Sequence, residues 1–448
     1  MPLEPEKPFR DELLSIERLE ERATALAARF TLDPTLRSGA RKVFARLDDN
    51  ARVLSDAYQV LSADVHRGEF VSSAADWLLD NFHVVASQIR EVRRNLPRGY
   101  YRELPKLASR TQGGEARVHA LAVELIRNQD SRLDQSQLTR FMNSFQTVAP
   151  LTIGELWAWP SMVQLALVEN LRRLAEETLA ARTARRAADE YVAALEPVLE
   201  SKPMPLPRAL HPAFVVQLLQ RVREYGPKLA MLRDSLEAHF SAAGMIAEEA
   251  IRGEHQREAA SQVSVANVIT SLRLCAQLNW SDYVESVSLV ERILLRDPAG
   301  VHGKMDFLSR DRYRQVVEEL SPSTGEGQVR VALRAVESAR EASDLDGPGA
   351  RAAHVGYHLI GKGRRGLESD LAYHPSLPGR MRRAAFVHMT AVYLGFVALF
   401  TGILIGLGML GAKVCGGGTV SEITLAALLL LPASEVAIAN SSSIWGWS

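Results

Sequence analysis

Several residue sets in this sequence have types and spacings that could do chemistry. Gly361-Lys-Gly-Arg-Arg-Gly366 has the G-x-G-x-x-G spacing that lets a backbone turn close on a pyrophosphate. That reading needs a strand before it, a helix after it and an acidic residue about 20 positions on. His354-Val-Gly-Tyr-His-Leu-Ile360 precedes it and reads as helix, and an apolar run occupies the downstream region, so a helix end with a basic turn is expected. Asp344-Leu-Asp346 has a spacing that suits Mg or Mn against a pyrophosphate. It sits at a helix end beside a Gly/Pro turn, and solvated carboxylates are expected there. His354 and His358, four apart, could share a helix face as two metal ligands. No acidic residue stands between them in an H-E-x-x-H arrangement, so a structural role is expected. Cys275 lies in an apolar helix and Cys415 close behind a long apolar run; neither has the neighbours of a nucleophile. Trp157 and Trp159 could form a platform for a sugar ring, but such a pair more often anchors packed helices, which is the expectation here. No catalytic, cofactor-binding or metal-binding residue is assigned from the residues alone.

The elements that must position these groups read as helices. From residue 10 to about 370, amphipathic stretches follow one another: Ile16, Leu19 and Ala23 begin one, and Val60, Leu61 and Val65 end another. Residues 180–195 are rich in strong helix formers, and Thr152 with Glu155 spells a capping box. Breaks are expected at 96–99, 112–114, 202–207, 226–227, 297–298, 321–325 and 347–349, where Pro and Gly cluster. Alternating runs with hairpin dipeptides are missing, so the fold class is all-α.

Charge divides the chain. The 448 residues balance 53 basic against 53 acidic side chains, which leaves no basic excess for nucleic acid. Two cysteines exclude a disulfide scaffold. Beyond Arg383 only Lys413, Glu422 and Glu435 are charged. Residues 384–412 hold no Asp, Glu, Lys or Arg, long enough for a transmembrane helix. Arg380, Arg382 and Arg383 before it place the helical region 1–380 in the cytosol by the positive-inside rule, and the N-terminus lacks a signal peptide's pattern. His388 is expected at the headgroups, and Gly402-xxx-Gly406 offers a close-packing face. A second, marginal apolar segment covers 423–439 and contains Pro432 and Glu435, before an atypical polar tail at 440–448. The expectation is a cytosolic multi-helix array with one or two transmembrane helices at a bacterial inner membrane, the bilayer being its first partner.

Several separated segments resemble one family. They are Asn95–Leu107, the Trp157 segment with Leu167–Ala175, Ser264–Arg273, Trp280–Gly300, Met305–Leu320 and His354–Ile360. All are similar, in order, to the N-terminal region of the bacterial cyclic β-1,2-glucan synthases, from about residue 70 to residue 439. The resemblance implies a large inner-membrane enzyme that polymerises glucose from UDP-glucose and cyclises the product, with UDP-glucose and a divalent metal used in a transferase domain. That domain is expected just after the second apolar run. The sequence has no Arg-Trp dipeptide, hence no Q-x-x-R-W motif, and no catalytic residue of the family carries over. The polar tail departs from the family, and a truncated or frameshifted product is expected. On this reading the chain is a membrane-anchored helical region, non-catalytic alone, whose partners are the transferase domain or the growing β-1,2-glucan. The alternative is a free-standing, membrane-tethered scaffold or regulatory module.

Overall fold

The computed structural model describes residues 6–33, 35–36, 39–108, 114–195, 211–225, 247–325, 327–373 and 389–414. Among them the regular structure is helical, with only two isolated bridge pairs, Leu32 to Leu107 and Lys106 to Ala116. The all-α class therefore holds.

The chain forms two compact units. The first comprises residues 1–318 and 328–363. It holds α1 (Ile16–Arg29), α2 (Ala40–His66), α3 (Ser73–Asn95), α4 (Arg98–Glu103), α5 (Arg117–Arg127) and α6 (Gln135–Gln146). Then come α7 (Ile153–Leu195), α8 (Pro212–Tyr225), α9 (Ala247–Gln277), α10 (Trp280–Val287) and α11 (Leu289–Leu294). Most of α12 (Phe307–Thr324), all of α13 (Gln328–Asp346) and α14 (Val355–Leu359) complete it.

The first half of α7 is the axis of this unit. Residues 161–171 are buried without a break, so the helix is enclosed on every side, as an element apolar around its circumference must be. It packs against α2, α3, α5, α8 and α9. Trp159, Met162, Val163, Leu167 and Leu171 meet Leu121 and Leu125 of α5 and Val268, Ile269 and Leu272 of α9 in one core. Three buried polar groups on α7 are answered from other elements. Gln88 accepts from Gln164 at 2.8 Å, Asn170 accepts from the Phe9 backbone at 2.6 Å, and Glu155 takes both arms of Arg117 at 2.5 and 2.8 Å. Leaving such groups unpaired would cost about 1–3 kcal/mol each, so they select one register for every helix they touch.

The capping box at Thr152 forms as the spacing predicts. Glu155 N–H donates to Thr152 Oγ1 at 3.1 Å, and Thr152 N–H donates to Glu155 Oε2 at 2.9 Å. The helix it opens continues through residues 180–195, which thus belong to the same 43-residue element. Its second half packs Ala188, Tyr191 and Val192 on Phe214, Leu218 and Val222 of α8 as a satellite cluster.

Local patterns hold elsewhere with adjustments. α3 ends at Asn95 before Pro97, and α13 ends before Gly347, which takes φ +87°. α12 passes through Pro322 to Thr324 and stops at Gly325, whose φ is +72°. Proline near the end of a helix removes one bond there without breaking the turns before it. In α2, Leu61 is buried but Val60 and Val65 are exposed. The breaks expected at 202–207 and 226–227 lie outside the described residues, and so does most of 112–114.

The second unit comprises residues 319–327 and 364–448. It holds α15 (Arg364–Asp370), where Arg364 pairs with Glu368 at 2.8 Å and with Glu319 at 3.1 Å, and α16 (Met389–Val414). Leu394, Leu399, Ile403, Leu407 and Leu410 of α16 are exposed, and nothing lies within 4 Å of where a Cβ would stand on Gly402 or Gly406. Among the described residues no helix is long and apolar enough to cross a membrane. The first residues of the expected span 384–412, His388, Cys415, the segment 423–439 and the tail 440–448 lie outside the described residues.

Candidate functional site

The residues singled out by spacing do not come together. Residues 361–363 are a bend and turn with no strand before them, and residues 364–366 already belong to α15. Two of the run's three glycines serve close packing: a Cβ on Gly361 would lie 2.7 Å from the Tyr357 carbonyl oxygen, and one on Gly363 would lie 2.7 Å from the Tyr357 ring, whereas Gly366 has open space around it. Asp344 and Asp346 are both exposed in the last turn of α13. Trp159 is fully buried in the core, whereas half-buried Trp157 packs edge-on to Phe307 with ring centres 5.9 Å apart. They anchor helices, as expected, and make no shared platform. Cys275 is buried, and burial pushes its thiol up to about 12.

The two histidines part company. α14 begins at Val355, so His354 is its capping residue and His358 lies inside it. His358 Nε2 bonds the Ala352 carbonyl at 2.8 Å, while His354 turns to other partners. Among the described residues no group of three or more His, Cys, Asp or Glu is placed to hold a metal ion.

His354 belongs to a dense titratable cluster built from α10, α11, α12, α14 and the loop after α11. Its Nδ1–H donates to Asp297 Oδ2 at 2.8 Å, and its Nε2 meets the Tyr313 hydroxyl at 3.0 Å. Asp297 also accepts the backbone N–H groups of Val301 and His302 at 3.1 Å and of Val355 at 2.9 Å. Burial opposes its ionisation, but His354 and these N–H donors outweigh that and hold the carboxyl at about 2. Beside it, His302 Nε2 meets Glu291 Oε1 at 3.0 Å, and Arg314 Nη1 bridges Glu291 Oε2 and Glu285 Oε1 at 2.8 Å each. The Glu291 carboxyl is likewise held low, burial being outweighed by His302 and Arg314. The His302 ring stacks on Tyr313 at 5.6 Å between centres, which joins the two halves.

Carboxylate, imidazole and hydroxyl stand here in the order that activates a nucleophile. Their environment points to another use. Tyr313 is buried, and both that burial and the Asp297 charge push its ionisation up, so the proton stays on the phenol. The chain of bonds ties the 297–302 loop and the start of α14 to α12. Asp297, Tyr313, Glu291 and His302 were not singled out from the sequence. In the sequence Asp297 stands at a break before Pro298, inside the Trp280–Gly300 segment, and its partner is 57 residues away.

A cavity of about 520 Å³ lies elsewhere in the same unit, lined by Phe9, Lys42, Arg46, Tyr101, His119 and Glu169 among others. Glu169 takes Arg46 on both oxygens at 2.6 and 2.9 Å and Asn50 at 2.7 Å. Those bonds overcome its burial and hold the carboxyl at about 2. Arg173, which also lines the cavity, stands 4.2 Å from the centre of the Phe9 ring.

No family profile matches the chain. Its sequence is 33% identical over 346 residues to the cyclic β-(1,2)-glucan synthase NdvB of Rhizobium meliloti (strain 1021), covering 74% of this chain. The chain spans 12% of the length of that curated relative. The helical array described above is thus related to a region of a cyclic β-(1,2)-glucan synthase.

Proposed function

We propose that this chain is a membrane-anchored helical region of a cyclic β-1,2-glucan synthase that uses UDP-glucose. It supports glucosyl transfer carried out by a separate transferase domain and is not itself catalytic. The observation that carries the reading is the relationship to a glucan synthase over 74% of the chain, against 12% of the relative. Residues 384–412 cross the bacterial inner membrane, and residues 1–380 face the cytosol. Supporting this are the uncharged run of 29 residues, the arginines at 380, 382 and 383, and the helical backbone of α16 with its exposed leucines. The partners of the array are the bilayer, the transferase domain and the growing glucan; the transferase domain, not this chain, holds any divalent metal.

Membrane fractionation tests the anchor. The full chain is expected in the pellet after an alkaline wash, and a version ending at Gly379 is expected in the supernatant. The full chain in the washed supernatant would refute the anchor. Incubation with radiolabelled UDP-glucose tests the second part: incorporation by the purified chain alone would refute a non-catalytic role.

A further inference from the structure

We infer that a second cavity, of about 660 Å³ between α7, α8, α9 and the turn joining α2 to α3, binds a neutral glucan chain. This rests on the reading proposed above and names a binding place for the glucan. Three features of the cavity carry it.

Phe70, in the turn between α2 and α3, lines the cavity and is 69% exposed. Its face suits the C–H face of a pyranose. The Arg185 guanidinium stands 5.2 Å from its ring centre and steadies it.

Around Phe70 stand planar polar groups already held in place. Asp64 takes both arms of Arg182. Asp189 Oδ1 accepts from Arg221 Nε at 2.6 Å and from Gln217 Nε2 at 2.9 Å, and among the described residues Oδ2 has no hydrogen-bond partner. Donors and acceptors fixed by their own pairing bind hydroxyl groups with little further loss of side-chain freedom.

The charge of the lining selects among glucose-bearing ligands. Six carboxylates and four guanidiniums line the cavity, an excess of negative charge. A nucleotide diphosphate would enter against that field, whereas an uncharged glucan would not. The volume lies within the range of small-molecule sites.

The test uses the full 448-residue chain in detergent, titrated calorimetrically with linear β-1,2-linked gluco-oligosaccharides and separately with UDP-glucose. The oligosaccharides are expected to bind, with affinity about fivefold to tenfold weaker in Phe70→Ala and an unchanged circular-dichroism spectrum. Asp189→Asn is expected to weaken binding as well, and UDP-glucose is expected not to compete. No glucan binding by the unaltered chain, unchanged affinity in Phe70→Ala, or competition by UDP-glucose would overturn the inference. Those results leave membrane fractionation and the transfer assay untouched, so a failure here is separable from a failure of the proposed function.

Discussion

Asp297 and His354 stand 57 residues apart and meet at 2.8 Å, with the aspartate side chain almost wholly buried. The pair closes the segment between them, which contains all of α12 and α13, into one loop of chain fastened at both ends. Its stability depends on pH through the aspartate. A carboxyl held at about 2 when folded titrates near 3.9 when unfolded, so the contribution is complete above about pH 4 and is lost as the pH falls toward 2. Asp297→Asn is expected to remove about 2 kcal/mol at neutral pH and to flatten the acid limb of stability. Thermal melting of both proteins across that acid range reads this directly; parallel acid limbs would contradict it.

Gly356 lies beneath the His354–Tyr313 bond. A Cβ there would collide with the Tyr313 hydroxyl and stand 2.7 Å from His354 Nε2. Gly356→Ala is expected to cost about 1–3 kcal/mol, as overpacking of a close contact does. Tyr313→Phe removes the hydroxyl that the methyl meets, so the double variant is expected to lose less than the two single losses combined. Urea denaturation of the four proteins completes the cycle, and strict additivity would show that the two positions do not touch.

Lys106 is buried, with its ammonium 2.5 Å from the Tyr101 carbonyl oxygen and 3.6 Å from the Tyr101 ring centre. Burial lowers its ionisation to about 8, with the Glu155 charge acting in the opposite direction. The unfolded chain holds this proton up to about pH 10.4, so between about pH 8 and pH 10 it binds more protons than the folded one. The Lys106 contribution to stability is therefore expected to rise with pH across that interval by about 2 kcal/mol, against an opposite contribution from Cys275, whose thiol is pushed up to about 12 by burial. Lys106→Met should abolish the rise. Chemical denaturation of both proteins at several alkaline pH values checks this, and a stability difference between them that stays constant with pH would refute it.

The two tryptophans separated by one residue should behave unequally. Trp159→Ala empties a fully enclosed site and is expected to cost about 3–5 kcal/mol. Trp157→Ala removes a half-buried ring from the edge of Phe307 and is expected to cost less than about 2 kcal/mol. Equal losses in denaturant titrations would mean that the core does not close around Trp159.

Much of the architecture could be read from order along the chain, because helix signals are local. The capping box at Thr152 and Glu155, the stop at Pro97 and the amphipathic start at Ile16 each depend on residues within a few positions of one another. The partners of those residues depend on packing. Glu155 as a cap is visible in T-x-x-E, but its grip on Arg117, 38 residues earlier, exists only once α5 lies along α7. Residues 180–195 read as helix correctly, yet their union with the Trp157 segment into one element could not be told from composition. His354 and His358 were spaced for a shared face, and the helix began one residue too late for that, freeing His354 to reach Asp297. Periodicity within one turn of helix is written in neighbouring side chains; which distant side chains meet is decided by how enclosed helices stack, and no spacing in the chain records it.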